Sequence, residues 1–566
     1  MKQCDVLVVG SGAAGLTAAL AAAKHGLKVV VVEKERYYGG TTAISAGWAW
    51  VPGNRQGVEL GDTRTAVEDY LRQIAPAHFD AEGVEAFLDT VPEAISFLED
   101  EAGVQFIYPP KAPDYQMDKT GAKESGRAII PTDVDARILG PDRLKVQPYL
   151  SSYTVFGYMP QVGADITHFF RVNQSLRSFV YVASRLLRTW WDTLWFRRSL
   201  TRSNGNALIT QMLKAAKDAG VDLRTSAPVE RLITDDSGRV VSAEIGGDHP
   251  GAITARLGVV IATGGFSGND RLRREYFPHD KRGDNHFTPT LGHGGDGAEL
   301  ALTVGGTIDS TVESVGSWAP VTVFRYLDGR QRLFPHLRAF GLPGLIGVDR
   351  HGQRFAGEAS SYHDYGSAMI ANDAAEKDTW AWIVGDATAM HKYGIGYAKP
   401  WPMPRSYFFK TGYLRKANTL EELAQKIDVD PAGLVATVAA FNEGATRGED
   451  PAFGRGSTKY HHFKGDPLHK PNPNLAPLNK PPYYATKIQM GDLGTFAGIA
   501  VDSSSRVTTG SGDAIPGLYA VGAAAVSVFG GGYPGYGSHI GPALVFGYRV
   551  GRNIATEAKR PEAPES

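Results

Sequence analysis

Three glycines near the start of the chain have the spacing that binds a dinucleotide. They follow a short apolar run as Gly10-x-Gly12-x-x-Gly15 and lead into an alanine-rich segment that reads as a helix. Gly10 permits a tight turn, Gly12 lets the backbone approach a pyrophosphate, and Gly15 lets the helix pack closely on the strand. The N-terminus of that helix then faces the negative phosphates.

The next strand supplies the second part of the pattern. Residues 29–32 are four valines, and Glu33 follows them about 20 residues after the glycines, where a carboxylate can hold the ribose hydroxyls. Gly39, Gly40, Thr41 and Thr42 follow a few residues later. A second loop of small residues at this place indicates a cofactor larger than NAD, one that lies along the domain.

Two later segments have the same form. Residues 259–265 and 517–523 are each an apolar strand that ends in a glycine turn. Together with the first motif they resemble the FAD-binding domain of the glutathione-reductase-like superfamily, in particular its fumarate reductase and 3-ketosteroid dehydrogenase branch. The resemblance covers nearly the whole chain. It implies an α/β fold, with a Rossmann-like FAD-binding domain of the glutathione-reductase type and an inserted α+β catalytic domain.

The resemblance implies FAD as the cofactor. Residues 40–47 contain no histidine or cysteine that could bond the flavin ring, so we expect non-covalent binding. The candidate cofactor-binding residues are Gly10, Gly12, Ala13, Ala14, Gly15, Glu33, Lys34, Gly40, Thr41, Thr42, Ala43, Gly47, Val229, Ala262, Thr263, Gly264, Gly522, Ala523, His539, Gly541, Pro542 and Ala543.

A tyrosine stands where the fumarate reductases carry a proton-donating arginine. The stretch reads Arg354-Phe-x-x-Glu358-x-x-x-Tyr362. A dicarboxylate substrate needs guanidinium partners, so the tyrosine disfavours succinate and fumarate. Tyr362 instead matches the pattern of the 3-ketosteroid Δ1-dehydrogenases, in which a tyrosine at this place removes a proton.

Two further motifs are similar to those of the same family. One is Pro-Asp-Tyr ending at Tyr115, and the other is Tyr533-Pro-Gly-Tyr536-Gly537. The resemblance implies that the Tyr533 hydroxyl and the Gly537 N–H polarise a ketone, and that Tyr362 takes the α-proton. We expect Tyr115 to stabilise the Tyr362 phenolate and lower its pKa, and flavin N5 to accept the β-hydrogen as hydride.

The substrate, the direction of the reaction and even catalysis itself stay open at this stage. The leading expectation is α,β-dehydrogenation of a 3-ketosteroid to a 2-enone. Tyr536 replaces a small residue of that family, which favours a smaller ring of the cyclohexanone type as the alternative. The surrounding aromatics, including Trp48 and Trp50, suit an apolar ring in either case, although both are equally explained as core residues. Two other hypotheses are an ene-reductase that runs the reverse chemistry and a binding protein that kept the fold without catalysis.

The three cofactor segments are far apart in the chain, which predicts a discontinuous domain. We place the FAD-binding domain at residues 1–296 and 490–566, with a basic, aromatic, helical insertion at about 130–203, and the catalytic domain at 297–489. Within the latter, residues 344–355 predict a strand, a glycine turn and a returning strand. Residues 419–427 predict a helix with a threonine cap, and 438–442 a second helix.

Aromatic residues and arginines alternate in residues 169–202. This composition is typical of a helix that lies on a membrane surface. The favoured alternative is a helix that covers the active site or packs at a subunit interface, with its arginines in solvent. The aromatic and basic residues are Phe169, Phe170, Phe179, Tyr181, Trp190, Trp191, Trp195, Phe196, Arg171, Arg177, Arg185, Arg188, Arg197, Arg198 and Arg202.

The bulk composition excludes several classes of protein. A net charge of −1 over 566 residues argues against nucleic acid as a partner. The single cysteine, Cys4, excludes an intrachain disulfide framework and gives no indication of a metal site. It fits a reducing, cytoplasmic compartment. Contact with the inner membrane face is an option because of residues 169–202. No second redox cofactor motif is present, so the electron acceptor, a quinone or another molecule, is not indicated.

Overall fold

The computed structural model describes residues 2–161, 165, 168–169, 171–172 and 175–559. Its largest sheet has eight strands, and the first strand lies near the middle of the sheet. The neighbours Gly251–Ile261 and Val29–Val32 both run parallel to the first strand, Gln3–Val9, with Val8 opposite Val260 and Val31. From edge to edge, the main path across the sheet is Arg506–Thr508, Ala514–Ala520, Gly251–Ile261, Gln3–Val9, Val29–Val32 and Asp222–Arg224. Two further strands branch from Gly251–Ile261: Val240–Ile245 pairs antiparallel with it, and Val229–Thr234 pairs antiparallel with Val240–Ile245.

Two helices that are far apart in the chain cover this sheet together. The first helix, Ala13–Lys24, packs along the C-terminal helix, Ile540–Glu557. An added Cβ at Gly547 would lie 2.6 Å from the Ala14 carbonyl oxygen, which shows how closely the two backbones approach. The C-terminal helix extends five residues beyond the predicted end near Arg552.

The second large sheet has six strands, which lie between residues 321 and 489. In order they are Gln331–Pro335, Val321–Arg325, Tyr483–Gln489, Trp380–Gly385 and Leu345–Val348, and Arg415–Ala417 also pairs with Tyr483–Gln489. The helices Leu420–Ile427 and Pro431–Arg447 pack on each other beside it. Both predicted helices are confirmed, and the Thr419 hydroxyl accepts a hydrogen bond from the Glu422 N–H as a cap.

The predicted returning strand after Gly352 is wrong. Leu345–Val348 pairs with Trp380–Gly385 instead, and the chain after the turn is irregular. The physical reason is Arg354, whose guanidinium forms buried ion pairs with Glu358 (2.6 Å) and Asp450 (2.7 Å) and so holds this segment away from the sheet.

The aromatic and basic stretch forms one long helix, Leu176–Phe196. The insertion that was predicted to be helical at about 130–203 is thus less helical than expected. Its described residues from 145 to 161 are irregular, and the long helix ends before Arg197. Phe170 lies outside the described residues. None of the helices in the described ranges combines the length and the apolar character needed to cross a bilayer.

The remaining elements are short paired strands and further helices. One small sheet has three strands, in which Ala128–Pro131 pairs with both Ala49–Trp50 and Phe106–Ile107. The other short strands form two-stranded pairs: Val134–Asp135 with Thr201–Arg202, Ile308–Asp309 with Gly498–Ile499, and Gly316–Trp318 with Asp492–Thr495. The other helices are Gly40–Ile44, Arg55–Glu59, Arg64–Ile74, Ala81–Ser96, Asn204–Asp218, Asp270–Tyr276, Asp296–Thr303, Tyr362–Asn372, Ala387–Lys392, Ser406–Lys410 and Lys459–Lys464. The division into domains at 296/297 and 489/490 stays a prediction.

Candidate active site

Three tyrosine hydroxyls from distant parts of the chain meet in one buried place. The Tyr362 hydroxyl lies 3.1 Å from the Tyr115 hydroxyl and donates a hydrogen bond of 2.8 Å to the Tyr533 hydroxyl. All three side chains are buried, and they pack with Tyr460, Phe496 and Ala319 in one cluster, which we call the tyrosine cluster. The three tyrosines that were expected to be catalytic are therefore neighbours.

Local structure holds two of the three tyrosines in place. Tyr362 is the first residue of the helix Tyr362–Asn372, whose N-terminus is capped by the Ser361 hydroxyl. The Tyr115 N–H donates to the Pro534 carbonyl (3.0 Å), which ties the Tyr115 segment directly to the residue after Tyr533.

A buried ionic group fixes the Tyr115 segment from the other side. Asp114 accepts hydrogen bonds from the Arg127 guanidinium (2.7 Å) and from the Trp50 indole N–H (2.9 Å). Arg127 also binds Asp62 in a two-pronged ion pair. Trp50 is thus a core residue with a structural hydrogen bond, whereas the Trp48 ring lies 5.2 Å from the Tyr536 ring and borders the cluster.

Gly537 occupies a position that only glycine can fill. Its φ is +93°, and an added Cβ would lie 2.2 Å from the Trp48 carbonyl oxygen. The Gly537 carbonyl accepts from the N–H groups of Trp50 (3.2 Å) and Gly541 (2.8 Å). The backbone at Gly537 is therefore rigidly placed beside the tyrosines.

Sequence reasoning missed part of the wall of this site. The Tyr460 ring lies 4.8 Å from the Tyr115 ring, and the Phe496 ring lies 5.7 Å from the Tyr533 ring. Neither residue belongs to a local motif, and only the tertiary contacts bring them here. Tyr536, which the sequence did flag, has its ring 4.8 Å from the Tyr115 ring, edge to face.

The electrostatics of the cluster correct one expectation. Burial raises the pKa of Tyr362 well above its usual range, and the neighbouring Tyr115 and Tyr533 raise it further. Burial likewise raises the pKa of Tyr533 to about 12. The hydrogen bond with Tyr115 was expected to lower the Tyr362 pKa, but burial raises that pKa and the contact with Tyr115 adds to the rise.

The glycine-rich loops form a tight cradle at the carboxyl ends of the parallel strands. Gly10 has a φ of +108°, and an added Cβ there would lie 2.4 Å from the Ala262 carbonyl oxygen. An added Cβ at Gly522 would lie 2.8 Å from the Ala14 side chain, and one at Gly541 would lie 2.0 Å from the Trp50 carbonyl oxygen. Such a cradle leaves backbone rather than side chains to face a ligand.

The acidic and basic candidates at the edge of the cradle are already bound to the protein. Glu33 accepts hydrogen bonds from the N–H (3.1 Å) and the hydroxyl (2.6 Å) of Ser11, and burial raises its pKa. Lys34 forms an ion pair with Asp296, which begins the helix Asp296–Thr303. Ser11 lies within the first glycine motif but was not predicted as a binding residue, and Asp296 was not predicted either.

The other cofactor candidates fall around the same cradle. The Thr42 hydroxyl accepts from the Ala13 N–H (3.2 Å), and the Thr41 hydroxyl donates to the Leu291 carbonyl (3.0 Å). Gly39 has a φ of +104° and precedes the short helix Gly40–Ile44, which contains Ala43.

The remaining candidates belong to several other segments. Gly47 packs on the backbone at Asn204 and Gly205, and Val229 begins the strand Val229–Thr234. Gly12, Gly15, Thr263 and Gly264 flank the Gly10 turn, and Ala523, His539, Pro542 and Ala543 border Gly522 and the start of the C-terminal helix.

Unsatisfied polar atoms mark where a cofactor fits. Among the described residues, His293 Nδ1, Thr495 Oγ1 and His539 Nε2 are buried and have no hydrogen-bond partner. They lie around Gly264, Gly265 and Gly494, between the cradle and the tyrosine cluster. Buried polar atoms normally find partners, so a ligand with polar ring edges fits at this place, as the isoalloxazine of FAD has.

A comparison with known families agrees with this geometry. Residues 5–540 match the model of a family described as "FAD binding domain". The chain belongs to this family. It is an FAD-dependent oxidoreductase, a dehydrogenase of the fumarate reductase and ketosteroid dehydrogenase superfamily, and the expected α/β fold and cofactor are confirmed.

Individual relatives cover almost the whole chain. A "4-oxocyclohex-2-ene-1-carboxylate 5-dehydrogenase" of Sinomonas cyclohexanicum is 68% identical over 559 residues, 99% of this chain and 95% of the relative. A "3-oxosteroid 1-dehydrogenase" of Mycobacterium tuberculosis is 34% identical over 99% of both chains. A crystal structure of 3-ketosteroid Δ1-dehydrogenase from Sterolibacterium denitrificans superimposes with a TM-score of 0.88 at 31% identity, covering 98% of this chain and 100% of that one.

Proposed function

We propose that this dehydrogenase desaturates a small cyclic oxo acid, a 4-oxocyclohex-2-ene-1-carboxylate, between the ring carbons C5 and C6. The observation that carries the proposal is the chain of three hydroxyls, Tyr115–Tyr362–Tyr533, beside the backbone of Gly537. The 68% identity with the Sinomonas enzyme supports this ring as the substrate.

The residues divide the work of removing two hydrogens. The Tyr533 hydroxyl and the Gly537 N–H hold the ketone oxygen and stabilise the negative charge that develops on it. Tyr362 takes the proton from C5, next to the ketone, and Tyr115 donates a hydrogen bond to its oxygen. FAD, when bound by the cradle, supplies the acceptor for the hydride from C6.

The product chemistry favours dehydrogenation over the reverse reaction. Loss of hydrogen from C5 and C6 of a ring that already has a C2–C3 double bond and a C4 ketone gives a dienone. This dienone becomes an aromatic phenol, 4-hydroxybenzoate, when C1 loses its proton to solvent and the ketone oxygen gains one. Because aromatisation draws the reaction forward, the ene-reductase alternative is disfavoured for this substrate.

The walls of the site support a single ring rather than a steroid. The Tyr536 ring packs against Trp48 (5.2 Å) and against Phe463 (5.8 Å), in addition to Tyr115. A bulky aromatic residue held in this way leaves less room beside the tyrosine cluster than the small residue of the ketosteroid pattern. We infer that Tyr536, the residue that departs from the ketosteroid pattern, selects for small substrates.

Anaerobic bleaching of the flavin tests this function. Purified yellow protein is mixed with 4-oxocyclohex-2-ene-1-carboxylate, with cyclohexanone or with androst-4-ene-3,17-dione. The flavin absorption band at about 450 nm is then followed. We expect rapid bleaching by the oxo acid and formation of 4-hydroxybenzoate. Bleaching by the steroid alone would refute the assignment in favour of a ketosteroid dehydrogenase, and colourless protein would favour the binding-protein hypothesis.

The long helix Leu176–Phe196 supports a proposal about location. Its buried residues are polar or small, Ser178, Val182, Thr189 and Asp192, whereas its outer face carries large apolar side chains. Among those, Trp191 is 63%, Trp195 64% and Leu194 76% exposed, with exposed arginines interspersed. This reversed polarity suits a helix that lies on an anionic membrane surface, where a quinone would be the natural electron acceptor.

Liposome co-sedimentation tests the location. We expect binding to anionic vesicles and not to neutral ones, with loss of binding when Trp190, Trp191 and Trp195 are replaced by Ser. Absence of binding even at low salt would reject membrane contact. Self-association that the same substitutions abolish would instead assign the helix to a subunit interface.

A further inference from the structure

The Tyr70 hydroxyl connects two of the three tyrosine segments. The Tyr70 side chain is fully buried and lies in the main core rather than in the tyrosine cluster. Its hydroxyl donates to the Pro534 carbonyl (2.7 Å), directly after Tyr533 in the chain. It also accepts from the Gln116 N–H (3.2 Å), directly after Tyr115. One oxygen atom therefore contacts the backbone beside two of the proposed catalytic groups.

The Gln116 side chain extends the connection to the third tyrosine segment. Its Oε1 accepts from the Tyr70 hydroxyl (3.0 Å), and its Nε2 donates to both carboxylate oxygens of Asp364 (3.2 Å each). Asp364 lies in the first turn of the helix Tyr362–Asn372, two residues after Tyr362. Because a carboxylate only accepts hydrogen bonds, Asp364 fixes which way the amide faces and turns Oε1 toward Tyr70. We call this set of contacts the Tyr70–Gln116–Asp364 link.

The link is anchored to rigid parts of the protein. The Pro534 carbonyl that accepts from Tyr70 also accepts from the Tyr115 N–H (3.0 Å). The Arg127 guanidinium lies 5.5 Å from the centre of the Tyr70 ring, and its ion pair with Asp114 (2.7 Å) is buried. Tyr70 therefore packs on the same ionic group that fixes the Tyr115 segment.

We propose that Gln116 and Tyr70 are positioning residues, which set the distances among the hydroxyls of Tyr115, Tyr362 and Tyr533. The inference rests on the proposed function, in which these three hydroxyls act together on one ketone. Proton removal needs the base and its partners within hydrogen-bond distance, and a displacement of about 1 Å costs about 100-fold in rate. The three tyrosines come from distant segments of the chain, so a contact that spans all three segments keeps their oxygens together.

Loss of the link should slow the reaction without weakening substrate binding. Gln116→Leu keeps the approximate size of the side chain and removes its polar atoms. In anaerobic stopped-flow bleaching with 4-oxocyclohex-2-ene-1-carboxylate, we expect the rate constant at saturation to fall by about 10- to 100-fold. The substrate concentration for half-saturation should change by less than about threefold. The amplitude should stay complete, whereas a purely structural defect would lower the amplitude and leave the rate constant unchanged.

Gln73→Leu is the matched control. Gln73 lies on the same helix as Tyr70, and its amide bonds to the N–H and to the carbonyl of Thr120 (3.2 Å each), four residues after Gln116. The control thus removes two hydrogen bonds to the same stretch of chain, away from the tyrosines. Its rate constant should stay within about twofold of that of the unaltered enzyme.

An exchanged pair tests whether the hydrogen bonds themselves matter. Gln116→Glu alone places two carboxylates against each other and should be slow. Combined with Asp364→Asn, it returns a donor and an acceptor to the same places, so the double variant should recover most of the lost rate. A double variant no faster than Gln116→Glu would contradict a positioning role for the link.

A crystal structure of the Gln116→Leu holoenzyme separates this proposal from the proposed function, because it needs no turnover. We expect at least one oxygen–oxygen distance, Tyr115 to Tyr362 or Tyr362 to Tyr533, to exceed about 3.5 Å, the limit for a hydrogen bond. If the unaltered enzyme is bleached by none of the ketones tested above, the proposed function fails and this structure alone decides on Gln116. Hydroxyl distances or a rate constant equal to those of the unaltered enzyme overturn the role. If Gln116→Leu does not retain FAD, Tyr70→Phe decides by the same measurements.

Discussion

The cofactor cradle and the tyrosine cluster are built on opposite principles. The cradle is formed by backbone at glycine residues, and at Gly10, Gly522 and Gly541 an added Cβ would clash with a neighbouring atom. The cluster consists of large side chains whose terminal oxygens meet within about 3 Å, as Tyr362 and Tyr533 do at 2.8 Å. The cradle is therefore sensitive to added atoms, and the cluster is sensitive to the loss of single oxygen atoms.

The largest effect should come from one oxygen of the cluster. Tyr362→Phe removes the proposed base, so we expect kcat to fall by about 10⁴-fold, the upper end of the range for general base catalysis, with normal flavin content. Tyr365→Phe is the matched control, because Tyr365 lies on the same helix and is buried, and its hydroxyl has no partner among the described residues. Stopped-flow bleaching measures both variants; a Tyr362→Phe enzyme that keeps its activity contradicts the assigned role.

The second oxygen should matter less. Tyr533→Phe removes one of two proposed donors to the ketone oxygen, and the Gly537 N–H remains. We expect kcat to fall by about 10²- to 10³-fold, the usual loss for one such donor, with little change in KM. The same stopped-flow measurement checks this, and a fall in kcat of less than twofold would assign the hydroxyl to packing alone.

An added carbon in the cradle should affect the cofactor first. Gly10→Ala places a Cβ against the Ala262 carbonyl, so we expect FAD affinity to fall by at least about tenfold. Gly26→Ala is the matched control, since Gly26 also has a positive φ (+94°) but its Cβ would meet no atom within 4 Å. Its only cost is backbone strain. Flavin absorbance after dialysis distinguishes the two, and equal retention of FAD contradicts the cradle model.

The smallest expected effect is on the pH dependence of stability, through His293 and His539, which lie between the cradle and the tyrosine cluster. Burial lowers the pKa of His293 and His539 to about 4. A folded-state pKa below the unfolded value of about 6.5 gives stability that is present above about pH 6.5 and is lost as pH falls to about 4. Melting temperature should therefore decrease over this interval, and His539→Gln should flatten the decrease. A profile that is identical in that variant would contradict the contribution of His539.

The sequence allowed accurate prediction of local patterns. The glycine turn at Gly10 and the cap at Thr419 depend on neighbours within a few residues, and the structure contains both features. Prediction failed at the segment after Gly352, because the ion pairs of Arg354 with Glu358 and Asp450 outweigh its strand pattern. It also failed for the direction of the Tyr362 pKa, because burial depends on the whole cluster.

The amino-acid sequence alone determined which chemical groups this protein carries and which cofactor it binds. Phosphate binding needs a strand, a turn and a helix that are contiguous in the chain, so its signature is local. Only the tertiary structure decided that Tyr460 and Phe496 complete the wall of the tyrosine cluster. Those residues come together through packing between distant segments, and no spacing along the chain records that distance.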